Sequence, residues 1–227
     1  MYVEQIMSRE VTSVTEETRV THLSSLMHGQ CVTHLPVVRG EDKLVGLVSF
    51  RDLQRLSPSS ATTLSVGEAN YLLGKLTAGK IMQTEVVTCS PDTLIEDAAY
   101  LMRRKGVGCL PVTRDGRLVG IVTIEDVLDF FLEITGCGSE DTARIAVHLT
   151  DRAGELAKLL AAINAGGGYI ATVVSPQHPD HTGMRMAIVR FRADEPQAID
   201  RRLRELGYEL ITENLPRKGK NADGPVH

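Results

Sequence analysis

The chain has 227 residues, a length for one large domain or two to three small ones. Hydrophobic residues at 42% and charged residues at 24% match an ordinary globular protein and argue against wholesale disorder. The formal net charge of −4 opposes a general attraction to nucleic acid, and 4% aromatics without Trp leave little for base stacking.

No apolar run is long enough for a membrane span, and Met1-Tyr2-Val3-Glu4-Gln5 lacks the basic and apolar order of a secretory signal. Cys31, Cys89, Cys109 and Cys137 are widely spaced, with no CxxC pair or Cys/His cluster. The expectation is a reduced, cytoplasmic protein without a structural metal.

The first half is a tandem repeat. At an offset of 75, Ile6-Met7, Glu10-Val11, Thr18, Leu26-Met27, Val32, Leu35-Pro36-Val37 and Arg39 recur as Ile81-Met82, Glu85-Val86, Thr93, Leu101-Met102, Val107, Leu110-Pro111-Val112 and Arg114. At an offset of 74, Leu44-Val45-Gly46, Val48 and Asp52 recur as Leu118-Val119-Gly120, Val122 and Asp126. Composition alone would produce about three identities over such a length.

Each copy reads as β-α-β-β-α. The opening strand is Val11 to Val14 or Val86 to Cys89. A helix follows, N-capped by Thr18 or Thr93, the latter in a capping box with Glu96. Two strands come next, Leu35 to Val38 and Leu44 to Ser49, or Leu110 to Thr113 and Leu118 to Thr123, joined by the turns Glu41-Asp42 and Asp115-Gly116. A closing helix starts at Phe50 or Ile124. Between the copies, Ser57-Pro58-Ser59-Ser60 is a linker, and Ser65 to Glu68 caps a helix carrying Tyr71, Leu72, Leu73 and Leu76. The Met7, Met27, Met82 and Met102 side chains are core filler.

Gly136 to Ser139 is a hinge by composition. Beyond it, Ile145, Val147 and Leu149 mark a strand, and Leu156, Leu159, Leu160 and Ile163 one face of a helix stopped by Gly166-Gly167-Gly168. Strands Tyr169 to Ser175 and Met184 to Arg192 flank a loop from Gln177 to Gly183. A helix opens at Pro196 and ends at Gly207, and Tyr208 to Ile211 is a last strand. The order β-α-β-β-α-β is the ferredoxin-like split unit. The tail from Pro216 to His227 is polar and reads as disordered. The fold class is α+β.

The duplicated unit, with Leu-Pro-Val on one strand and Gly46-Leu47-Val48-Ser49-Phe50-Arg51-Asp52 or Gly120-Ile121-Val122-Thr123-Ile124-Glu125-Asp126 at the last strand–helix junction, resembles a pair of cystathionine-β-synthase (CBS) domains. The module with Asp151-Arg152-Ala153-Gly154-Glu155-Leu156 and the triple glycine is similar to an ACT domain. Together they resemble the bacterial acetoin-utilisation proteins of B type. The bounds are then 1–56 and 79–135 for the two CBS units, 57–78 for a linker with its inserted helix, 136–142 for the hinge, 143–215 for the ACT domain and 216–227 for the tail.

The resemblance implies a non-catalytic, allosteric regulator that works as a homodimer on an unnamed target protein. Its CBS cleft would hold an adenine nucleotide (AMP, ADP or ATP) or S-adenosylmethionine, and its ACT domain would hold an amino acid or serve dimerisation. Ser49 and Thr123 would lie near phosphate and Asp52 and Asp126 would take the ribose cis-diol, each carboxylate accepting two hydroxyls. The same four residues match the helix capping box, so capping alone is the alternative use. Arg51 beside the first hydroxyl, against Glu125 beside the second, favours nucleotide at the first copy. His34, at a strand start, and Thr12 and Thr88, on the opening strands, are lesser candidate contacts. In the ACT-like module Asp151 would face a ligand amine, with Gly154 in the loop that meets its carboxylate. His178-Pro179-Asp180-His181 reads as a solvated loop rather than a metal site. No nucleophile–base set or paired carboxylate outside the caps suggests an enzyme, and the remaining alternatives are a dimerising scaffold with empty clefts or a small nucleotide-handling enzyme.

Overall fold

The structure is a computed structural model that describes residues 1–56, 74–139, 141–176 and 183–214. The expected linker, the body of the inserted helix, the His178–His181 motif and the tail lie outside these residues. The chain divides into two units, Met1–Asp129 and Phe130–His227.

The first unit holds both repeats as far as Asp129, which lies within the last helix of copy two. Copy one contains α1 (Val20–Gly29), β1 (His34–Arg39), β2 (Lys43–Ser49) and α2 (Phe50–Leu56). A short helix, α3 (Ala78–Ile81), leads into copy two, with α4 (Ile95–Lys105), β3 (Cys109–Arg114), β4 (Arg117–Thr123) and α5 (Ile124–Ile134). The strands form one sheet in the order β1-β2-β4-β3, each copy an antiparallel hairpin. The hairpin turns carry left-handed residues where the sequence has Asp and Gly: Gly40 and Asp42 in copy one, Asp115 and Gly116 in copy two. The core of copy one gathers Val14, Val20, Leu23, Met27, Leu35, Val37, Val48 and Leu53.

The opening segments are not strands but single parallel bridges, Val14 to Val37 and Cys89 to Val112. Pro36 and Pro111 explain this. The next rung of a parallel ladder would need their N–H groups, which proline lacks. The threonine caps also differ from expectation. α1 and α4 begin after Arg19 and Leu94, without a side-chain cap. Thr18 and Thr93 instead accept from the Thr15 and Ser90 amides (3.1 Å each), closing the preceding turn. The Thr93–Glu96 capping box is therefore absent.

Backbone carbonyls from elsewhere receive the first helical amides. Val20 N–H donates to Leu76 O (2.9 Å) and Ile95 N–H to Met1 O (3.2 Å). They belong to an exchange of leading segments between the copies. Val3 N–H donates to Thr93 O (2.9 Å) and Ala78 N–H to Thr18 O (2.8 Å). Ser8 pairs with Ile121, and Gln83 with Leu47, through two backbone bonds each. The segment that precedes each copy in sequence thus packs on the other copy. Val3 and Ala78 are fully buried, and Ala78 joins the core of copy one. Burying a valine this way contributes about 1.5–3 kcal/mol.

The second unit contains β5 (Ala143–Thr150), α6 (Glu155–Ala165), β6 (Tyr169–Val174), β7 (Met184–Arg192), α7 (Pro196–Glu205) and β8 (Leu210–Asn214). Its antiparallel sheet runs β6-β7-β5-β8, the split arrangement in which each β-α-β leaves room for a strand between its ends. The alternating residues Ile145, Val147, Ala187, Val189 and Phe191 meet Leu159 and Ile163 of α6 and Ile199 and Leu203 of α7 in one core. Pro196 occupies the first helical turn of α7, and Gly166 caps α6.

Candidate functional site

The two strand–helix junctions carry the same constellation. At the end of β2, Ser49 N–H (2.9 Å) and Ser49 Oγ (2.6 Å) both donate to Asp52 Oδ2, and Asp52 N–H donates back to Ser49 Oγ (3.3 Å). At the end of β4, Thr123 N–H (2.7 Å) and Oγ1 (2.8 Å) donate to Asp126 Oδ2, and Asp126 N–H donates to Thr123 Oγ1 (3.3 Å). Both are complete capping boxes. The expected ligand residues are therefore already paired with one another. Each carboxylate spends Oδ2 on the cap, which leaves Oδ1 for a further donor.

In copy one that further donor is present. Gln83 Nε2 lies 3.4 Å from both Asp52 oxygens, and Arg55 Nη1 lies 3.7 Å from Oδ1. Burial works against the charge on Asp52. The Ser49 hydroxyl and amide, then Gln83 and Arg55, outweigh it and hold the carboxyl below the usual aspartate range. Asp126 has no third partner among the described residues. Arg51 and Glu125 are both exposed, one residue before the two carboxylates.

His34 begins β1, half-buried, with its Nδ1 2.9 Å from Thr33 Oγ1. Burial lowers its pKa, Glu125 and Asp52 raise it and Arg51 lowers it, with a net shift downward. The imidazole thus feels charges from both copies, and Gly108 of copy two lies against it. Its counterpart Cys109 is buried, and its thiol is pushed up to about 12 by burial and by Glu125. Burial likewise pushes Cys89 up to about 11. Neither is an activated nucleophile. The Thr12 hydroxyl donates to Gln30 Oε1, whereas Thr88 is half-buried with no hydrogen-bond partner among the described residues.

Gly46 and Gly120 each stand three residues before the hydroxyl of the capping box. The structure assigns them to packing. A Cβ on Gly46 would stand 2.4 Å from Met82 Sδ, and one on Gly120 2.6 Å from Met7 Sδ. Both methionines come from the exchanged leading segments. Sequence reasoning missed Gln83, because the exchange that brings it to Asp52 leaves no local pattern.

In the second unit Asp151 faces Arg185 (3.6 Å). Arg185 also donates to Ser175 O (3.0 Å). Gly154 adopts φ +89° immediately before α6, a conformation that favours glycine.

A recess of about 450 Å³ is lined by Glu4, Ser90, Pro91, Asp92, Thr113, Arg114 and Asp115, none of them an expected contact. Among the described residues there is no group of three His, Cys, Asp or Glu able to hold a metal, and no helix long and apolar enough to cross a membrane.

The duplication extends to a known family model. The model of the CBS domain matches residues 3–59 and 78–133. The chain carries a tandem pair of CBS domains. Among curated relatives, homoserine O-acetyltransferase of Methanohalobium evestigatum is 33% identical over 127 residues, 56% of this chain. The chain spans only 23% of that enzyme's length. Among solved structures, AcuB from Vibrio cholerae, assigned to acetoin utilization, is 27% identical with a TM-score of 0.52 over 62% of this chain and 96% of its own. CBSX2 from Arabidopsis thaliana is 29% identical with a TM-score of 0.53 over 60% and 96%. CBSX2 has also been crystallised in complex with AMP.

Proposed function

We propose that the CBS pair is a non-catalytic sensor of an adenosine-containing ligand, AMP, ADP, ATP or S-adenosylmethionine. Asp52 and Asp126 grip the ribose cis-diol, and Ser49 and Thr123 stand near phosphate. The observation that carries this reading is the repetition of one half-buried hydroxyl–carboxylate pair at the same junction of both CBS domains. Each carboxylate keeps one oxygen outside its cap, and a hydroxyl donating to a charged oxygen contributes about 1.5–3 kcal/mol. Arg51 adds attraction for phosphate at the first copy. His34, Thr12 and Thr88 are lesser contacts. The AMP complex of CBSX2 supports the choice of an adenine nucleotide.

The test is calorimetry on the full chain. Replacing both Asp52 and Asp126 by Ala lowers AMP affinity at least a hundredfold, while Asp→Asn at both positions retains a capping acceptor and separates folding from binding. Unchanged affinity in both variants refutes the reading. Saturable binding without ATP or AMP turnover distinguishes a sensor from an enzyme.

A second reading is favoured by the closed capping boxes themselves. Ser49 Oγ to Asp52 at 2.6 Å is a complete structural role, so the clefts could stay empty and the chain act as a dimerising scaffold. A melting temperature unmoved by adenine nucleotides and S-adenosylmethionine supports the scaffold, because a ligand that binds only the native state raises its stability.

We further infer that residues 143–215 form an ACT domain, joined through the hinge 136–142 to the CBS units 1–56 and 79–135, and that the chain works as a homodimer. The split β-α-β sheet and the left-handed Gly154 before α6 support this. An amino-acid amine at Asp151 has to compete with Arg185. The likeness to AcuB supports a place in acetoin utilisation.

A further inference from the structure

We propose that Gln83, carried by the leading segment of copy two, is a positioning residue that controls how Asp52 of copy one meets a cis-diol. The inference rests on the ribose role of Asp52 given above and adds to it a residue from the other copy.

Four observations converge on Gln83. Its amide nitrogen lies 3.4 Å from both Asp52 oxygens. Its backbone is pinned to β2 by two bonds with Leu47 (2.9 and 3.0 Å), two residues before Ser49. Its neighbour Met82 fills the space over Gly46. Its counterpart Ser8 makes the same backbone pair with Ile121 (2.9 and 3.0 Å) and follows Met7 over Gly120, yet no hydrogen bond joins it to Asp126. The backbone frame is thus the same at both sites, and only at the first does the side chain reach the carboxylate.

The chemical consequence follows from donor counting. A carboxylate offers about four lone-pair sites, and the cap takes two at Asp52. Gln83 presents an amide donor to the remainder, so a diol at copy one must displace it or share with it. At copy two the diol meets no such competitor. Gln83 therefore weakens discrimination for a 2′-hydroxyl at copy one, and it adds to the Ser49 bonds that favour the charged carboxylate. The charged group that faces Asp52 is Arg55, one turn along α2, and the titratable His34 at the start of β1 is coupled to it electrostatically.

The experiment uses the full chain with Gln83→Ser, which gives copy one the side chain that copy two has. The carboxyl titration of Asp52, followed by NMR, is expected to move upward in Q83S, with Arg55 and His34 intact. With copy two silenced by Asp126→Asn, the affinity ratio of AMP to 2′-deoxy-AMP at copy one is expected to rise about threefold or more. Ser8→Gln transplants the amide and is expected to lower that ratio at copy two. An unmoved Asp52 titration overturns the positioning role whatever the ligand. A shifted titration with an unchanged ratio overturns the competition with the diol. Failure of every adenosine ligand to bind removes the ribose reading and the diol competition with it, while the titration still decides whether Gln83 governs Asp52.

Discussion

The two CBS copies share a backbone and differ in charge. Each ends its hairpin in a capping box built from the same hydroxyl–carboxylate pair. Around the first carboxylate stand Arg51 and Arg55; at the matching positions of the second stand Glu125 and Asp129. Gln83 reaches the first and Ser8 does not reach the second. Duplication has kept the parts that hold the fold and changed those that face outward. The copies are therefore one scaffold presenting two different electrostatic surfaces, and their ligand preferences should separate.

The largest effect that would break the comparison lies in the exchanged segments. Val3→Asp puts an unpaired charge at a fully buried position on copy two and is expected to cost several kcal/mol in urea denaturation. Met1→Ala leaves that packing alone and should be nearly neutral, since Met1 is exposed. Equal stability of wild type and Val3→Asp would mean that the exchange contributes little.

The charge difference is sharpened next. Arg51→Glu makes the first copy resemble the second and is expected to weaken AMP binding about tenfold there, with little effect on uncharged adenosine. Glu125→Arg should do the reverse at copy two. Both positions are exposed, so folding is spared. Identical changes for AMP and adenosine would contradict a phosphate role for Arg51.

The smallest effect concerns His34, which senses both copies. Its folded pKa is depressed, chiefly by burial, below the ordinary value of about 6.5. The unfolded chain then binds more protons in acid. Its contribution to stability is complete above about pH 6.5 and is lost as pH falls from there toward the folded midpoint. Histidine NMR should place the midpoint below 6.5. Glu125→Gln should lower it further and Arg51→Gln should raise it. A midpoint indifferent to Glu125 would deny that the copies meet electrostatically at His34.

The hairpins were legible because strand alternation and turn residues are local signals: His34–Arg39 and Lys43–Ser49 differ from expectation by one residue at their ends. The capping boxes were legible for the same reason. Thr18 and Thr93 misled because a hydroxyl before a helix serves an N-cap and a preceding turn equally well. The opening segments misled because β-branched residues suggest strands, while prolines on the partner strand limit them to one bridge. The exchange of leading segments was invisible, since it joins residues far apart in the chain, such as Gln83 with Leu47 and Ser8 with Ile121, and its trace in the sequence is a pair of methionines seated on glycines. Gln83 at Asp52 follows from that exchange and shared its invisibility.

The most direct test is a crystal structure of the full chain grown with AMP. The account predicts ribose hydroxyls on Asp52 and phosphate toward Ser49 and Arg51, with Asp126 offering the second and weaker seat. A nucleotide held in the recess lined by Glu4, Ser90 and Arg114, with both capping boxes untouched, would contradict it.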